Sequence, residues 1–203
     1  MESEETLRLV ILFDTNRIKA KIYNLAEKTN ATTFSQLELE FCYLSAINYL
    51  LAHYEPKNEL LPRLIDTEEV NRYGAYSLNF FCNGEPHNII IDDRIPTRSE
   101  SIVYLRVVKG NELWPLLLEK AWAKQIGSYK MAKGLSPEDC FEEMTGIPAY
   151  THAIRANNRD TIRRLIQESI SSRYWVCLVA QKGLSDIRNR QVFNLRKYSP
   201  DTE

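Results

Sequence analysis

The sequence predicts an α+β fold, on three observations. Helical apolar spacing dominates the first part of the chain. A β-rich hairpin pattern centred on Asn83-Gly84 follows it. Helix and strand signals then mix without the strict strand–helix alternation that a parallel sheet requires. Hydrophobic residues make up 44% of the 203, enough for a sizeable core.

Taken in order, Thr6–Phe13 is apolar and suits a strand. Arg17–Lys28 has helical spacing, with Ile18, Ile22 and Leu25 on one face. Residues 31–36 read as a loop rich in Thr and Ser. A long helix is expected from about Leu37 to Tyr54, with Leu39, Cys42, Ala46 and Leu50 along one side. Tyr76–Phe81 and Asn88–Ile91 are β-formers flanking Asn83-Gly84, a tight-turn pair. Pro96 keeps Ile95 out of a helix. Ile102–Val108 reads as a strand and Glu112–Ile126 as a helix. Ser136-Pro137-Glu138-Asp139 combines a capping hydroxyl, a first-turn proline and acids at the positive dipole end, and this helix stops near Gly146. Asp160–Ser171 is a further helix, with strands expected at Tyr174–Ala180 and Gln191–Lys197.

Charge and cysteines exclude several functions. Lys plus Arg number 26 and Asp plus Glu 27, a net charge of −1, so the basic excess of a nucleic-acid or anionic-membrane binder is missing. The four cysteines, Cys42, Cys82, Cys140 and Cys177, include no C-x-x-C pair, which leaves a zinc site without support. The start Met1-Glu2-Ser3-Glu4-Glu5 is acidic where a secretory signal begins basic. No apolar run approaches the roughly 18 residues of a membrane span. The expectation is a soluble, cytoplasmic protein with reduced thiols.

Four segments carry a resemblance. Ile90-Ile91-Asp92-Asp93-Arg94-Ile95-Pro96-Thr97 resembles the V-V-D-D-R-L-P-T of the calpain family of cysteine proteases. Glu112-Leu113-Trp114 through Leu117-Leu118-Glu119-Lys120-Ala121-Trp122-Ala123-Lys124 resembles that family's E-F-W-x-x-L-L-E-K-A-Y-A-K. Gly127-Ser128-Tyr129 and Met144-Thr145-Gly146 fall where it has G-x-Y and L-T-G. The order and spacing of all four agree, and the resemblance covers about Ala31 to Ala180.

The resemblance implies a papain-like core of two lobes. Residues 1–30 are then an N-terminal extension, 31–146 a complete first lobe and 147–203 part of a second. The family's Q-G-x-L-G-D-C-W matches Gln36-Leu37-Glu38-Leu39-Glu40-Phe41-Cys42-Tyr43. Cys42 thus stands at the nucleophile position and Gln36 at that of the oxyanion donor. A Cys at a helix start has its thiolate favoured by the dipole, and an amide one and a half turns earlier can meet a developing oxyanion. A second-lobe His takes the thiol proton, and an Asn fixes the ring of that His. The bland alternatives are an ordinary buried thiol for Cys42 and a helix-start polar residue for Gln36.

The pattern breaks at several positions. Leu37 and Glu40 replace glycines that let backbone approach the reacting carbonyl. Glu38 and Glu40 put like charge beside Cys42, which disfavours its thiolate. The chain's histidines, His53, His87 and His152, all precede the strand on which the family carries its base. Aligning the last strands puts Gln191 at that position, and the family's Asn-Pro-Trp segment would fall past Glu203. The family's first-lobe calcium site uses backbone carbonyls, an Asp before the Gln and a Glu before the Trp. Glu112 matches the Glu, while Thr33 stands at the Asp, so no cofactor is required and calcium binding is weakened.

Cys82, Cys140 and Cys177, in apolar surroundings, are expected in the core. Asp92-Asp93-Arg94 reads as a structural ion-pair cluster, and the Arg155–Arg164 run as a solvated helix face or a partner-binding patch. The resulting expectation is a catalytically inactive homologue acting as a structural or interaction module. It would engage a protein partner through residues 147–203, with cytoskeletal or ciliary assemblies implied by the family alone. The alternative is an active calcium-dependent endopeptidase of which this chain is a fragment or one subunit.

Overall fold

Apolar residues at every second position, meeting at a tight turn, build the centre of the first unit. The computed structural model describes residues 5–8, 33–36, 57–67, 69–98, 101–109, 112–132, 136–172, 174, 176–179 and 192–195. Strands β3 (Ala75–Cys82) and β4 (Glu85–Asp92) pair antiparallel around Asn83-Gly84. Asn83 and Gly84 have φ of 52° and 82°, the left-handed pair that a two-residue hairpin loop needs. Tyr76, Leu78 and Phe80 of β3 and Ile89 and Ile91 of β4 are buried on one face.

Three helices pack against this hairpin. The first, α1 (Lys57–Leu64), contains Pro62 and buries Leu61 and Leu64, with Ile65 following. No element is expected there from the sequence. The second, α2 (Trp114–Ile126), has Pro115 in its first turn and is apolar almost all round. Trp114, Leu117, Leu118, Ala121 and Trp122 are completely shielded. The third, α3 (Pro137–Thr145), starts where Ser136 Oγ accepts the Asp139 N–H at 3.1 Å and ends at Gly146, φ 70°. Both boundaries match the sequence expectation.

Two smaller sheets complete the unit. β1 (Glu5–Arg8), β5 (Arg94–Arg98) and β6 (Ser101–Ile102) form one, in the order β1-β5-β6. β2 (Thr33–Gln36) and β7 (Leu105–Lys109) form the other. Residues 33–36 are therefore a strand and not the expected loop: Thr and Phe are good β-formers, and β7 supplies a partner that local composition cannot reveal. The single strand expected over Ile102–Val108 is two, broken where Val103 and Tyr104 bury their side chains between β6 and β7. The expected helices Arg17–Lys28 and Leu37–Tyr54 lie outside the described residues.

Contacts divide the chain into two units, Met1–Pro148 and Ala149–Glu203. In the second, a short 3-10 helix (Ala156–Asn158) leads into α4 (Arg159–Ser171). β8 (Val176–Val179) pairs antiparallel with β9 (Val192–Leu195), Val176 opposite Leu195. Ile162 is the buried residue of α4, which packs against β8. No helix among the described residues is long and apolar enough to cross a membrane.

Candidate functional site

Gln36 ends β2, and its Cα partner across the ladder is Leu105, the first residue of β7. The Leu105 N–H donates to Glu119 Oε2 at 2.8 Å. Glu119 sits on α2 and is 1% exposed. The strand carrying Gln36 is thus held by β7, and β7 is pinned to the core by a buried carboxyl. Burial pushes that carboxyl up to about 8, against the opposing pull of the Leu105 N–H. At neutral pH Glu119 is mostly protonated, which removes the cost of an unpaired interior charge.

Sequence reading took Glu119 only as one letter of a motif. A sharper signal was available: its helical neighbours at three and four residues are Pro115, Leu116, Trp122 and Ala123, all buried. An acid inside an apolar helix face needs a dedicated partner.

At the other end of β2, Thr33 pairs with Lys109, and the register shifts between Thr33 and Phe34. Lys109 lies three residues before Glu112, so the ladder brings the two chain segments of the calcium pattern alongside each other. Glu112 is 4% exposed, and its Oε2 accepts the Trp114 indole N–H at 3.1 Å. One of its oxygens already serves the helix start. Among the described residues no three His, Cys, Asp or Glu side chains group so as to hold a metal ion. Glu112 is the described residue that matches a carboxylate of the family's calcium pattern.

Cys42 and Gln191 lie outside the described residues, as does His53. The other histidines are described and exposed: His87 on β4, with Nδ1 3.4 Å from Gln125 Oε1, and His152 between α3 and α4. Cys140 is buried as expected, its Sγ 3.9 Å from Met144 Sδ, and burial pushes its thiol well above the usual range. Cys82 and Cys177 are exposed, which corrects the expectation that they are core. Cys82 ends β3 beside the hairpin turn, at the rim of the face that buries Tyr76, Leu78 and Phe80. Cys177 alternates with Val176 and Leu178, which are half-buried, so it takes the opposite face of β8.

The family's other segments have clear structural work. Asp92 forms ion pairs with Lys120 and Arg94, as the cluster reading expects. The Lys120 and Arg94 charges and the hydrogen bonds they bring hold the Asp92 carboxyl low against its own partial desolvation. Tyr129 stacks on Tyr104, ring centroids 4.6 Å apart and nearly parallel. Gln125 Nε2 donates to the Phe81 carbonyl at 2.7 Å and to Glu143 Oε2 at 2.6 Å, joining α2 to β3 and α3.

Comparison with known proteins agrees with this picture. The sequence profile described as "Calpain family cysteine protease" matches residues 15–198. Calpain clp-1 of Caenorhabditis elegans is 36% identical over 114 residues, 55% of this chain and 14% of that protein. Calpain-8 of Homo sapiens is 38% identical over 116 residues, 57% of this chain and 16% of its own. The calpain-2 catalytic subunit of Bos taurus is 30% identical over 142 residues, 68% and 20% respectively. The chain spans no more than about a fifth of the length of these relatives. With the family pattern running over residues 15–198, the chain belongs to the calpain family of cysteine proteases.

Proposed function

We propose that this chain is a catalytically inactive calpain homologue that serves as an interaction module. The reading rests on the sequence alignment that puts Gln191 at the family's general-base position. The start of β9 at Val192, one residue later, supports the strand alignment behind it. An amide has no basic nitrogen near neutral pH, so it cannot take a thiol proton. Glu38 and Glu40 beside Cys42 add to this, since they disfavour the thiolate. The boundary between Pro148 and Ala149 supports reading 31–146 as the first lobe and 147–203 as part of the second. Calcium has no required role in this reading, because Thr33 replaces a carboxylate and Glu112 is engaged by Trp114. The setting is cytoplasmic, with cytoskeletal or ciliary assemblies as the family-level expectation, and partners dock on 147–203.

The second reading, an active calcium-dependent endopeptidase needing further chain, is favoured by the retention of Cys42, Gln36 and Glu112 together. One experiment separates the two. The purified chain is treated with a calpain-directed thiol-reactive inhibitor, with and without calcium, beside Cys42→Ala. Labelling no faster than that of the other thiols is expected. Calcium-dependent labelling that vanishes in Cys42→Ala would make the enzyme reading the correct one.

A further inference from the structure

The near-neutral total charge hides two oppositely charged parts of unequal length. Residues 149–203 hold ten Lys or Arg against five Asp or Glu, while residues 1–148 hold sixteen against twenty-two. Much of the basic excess is concentrated at the start of α4. Arg155, Arg159, Arg163 and Arg164 lie within ten residues, with Asp160 the sole acid among them. All four are exposed, and none forms an ion pair among the described residues.

Their place on the helix matters. Arg155 precedes the 3-10 helix that runs into α4, so the cluster occupies the amino-terminal end. That end already carries the positive pole of the helix dipole, where cations lower helix stability and anions raise it. Folding alone gives no reason to gather arginines there. An anionic ligand would satisfy the guanidinium groups and the dipole together. Directly upstream, Tyr150 is 85% exposed and Ile154 56% exposed, so the charged cluster adjoins uncovered apolar surface.

Resting on the interaction-module reading, we propose that Arg155, Arg159, Arg163 and Arg164, with Tyr150 and Ile154, form a docking surface for an acidic protein segment that also carries apolar side chains. The spacing suits such a segment. Four helical residues rise about 6 Å, as Arg159 to Arg163 do, and alternate residues of an extended peptide repeat at about 6.6 Å. Carboxylates on alternate residues can therefore meet successive arginines, leaving apolar residues for Tyr150 and Ile154. A nucleic acid fits less well, because its affinity rests on an extended basic surface and it offers no apolar side chains to Tyr150 and Ile154.

The test uses the whole chain and a short fluorescein-labelled peptide alternating Glu with Leu, read by fluorescence polarisation. Binding is expected, weakening steeply as salt is added. The double reversal Arg159→Glu with Arg163→Glu should weaken it about tenfold or more, and Tyr150→Ala about threefold. Lys130→Glu, an exposed reversal in the first unit, should leave it unchanged. Far-UV circular dichroism checks that each variant keeps its fold. Absence of binding to the unmodified chain overturns the proposal, as does equal binding by the double reversal. So does tighter binding of a thymidine oligonucleotide of matching length. The inhibitor labelling described above is run on the same samples. Labelling of Cys42 with peptide binding intact removes the inactive-module reading and leaves the surface. No labelling together with no peptide binding removes the surface and leaves the reading.

Discussion

Glu119 shows how one buried group can couple stability to pH. Its carboxyl is raised by burial from 4.5 to about 8, so the folded chain keeps a proton that the unfolded chain releases at lower pH. Stability from this group is therefore full below the unfolded value and falls as pH rises toward 8, by up to about 1.4 kcal/mol per pH unit. Above that, the fold carries a buried anion held by one backbone N–H. Replacing Glu119 with Gln preserves an acceptor for Leu105 and removes the titration. Urea unfolding across this window should show a falling midpoint for the natural chain and a flatter one for Glu119→Gln. Parallel curves would show that other groups control the dependence.

Among the elements, α3 is the one whose ends were fully legible, and its C-terminus is the most constrained. Gly146 has φ 70°, and a Cβ built there would lie 2.6 Å from the Phe81 ring. Gly146→Ala should cost about 1–3 kcal/mol, since left-handed strain adds to the clash; a melting curve close to the parent would mean that Phe81 moves freely aside. Ser136 and Gly146 act on their own few neighbours, which is why sequence alone reveals them. The β3–β4 hairpin was legible for the same reason, through Asn83-Gly84. The strand at 33–36 was not, because its pairing with β7 spans some seventy residues and leaves no local mark. Nor was α1, since Pro62 inside it reads as a breaker while Leu61, Leu64 and Ile65 stabilise it by packing. Cys82 and Cys177 were misjudged because apolar neighbours in sequence do not say which face of a strand each side chain takes or how far that face is covered.

At the scale of the whole molecule, the family was legible because its segments keep their order and spacing through the first unit. The β2–β7 ladder links Gln36 to Leu105, and so to Glu119, at one end and leads toward Glu112 from Lys109 at the other, an arrangement that only the register reveals. The central hairpin has one more property. β3 and β4 form a two-stranded sheet; an antiparallel bridge from Ile65 to Leu78 covers the outer side of β3, while the outer side of β4 pairs with no strand among the described residues. The two-residue loop makes Ser77 and Ile90 a non-hydrogen-bonded pair, and the Ile90 carbonyl therefore faces away from β3. Lys124 Nζ donates to that carbonyl at 2.6 Å, and Lys120 bonds the Arg94 carbonyl just beyond. Ile90 itself is 61% exposed, a β-branched side chain beside a free strand edge. Lys124→Met should change unfolding stability by less than about 0.5 kcal/mol yet increase light scattering on storage. Unchanged scattering would mean that the edge is guarded by something else. Lys124, conventional as a surface residue for solubility, thus stands on the edge that a strand from another chain would have to extend.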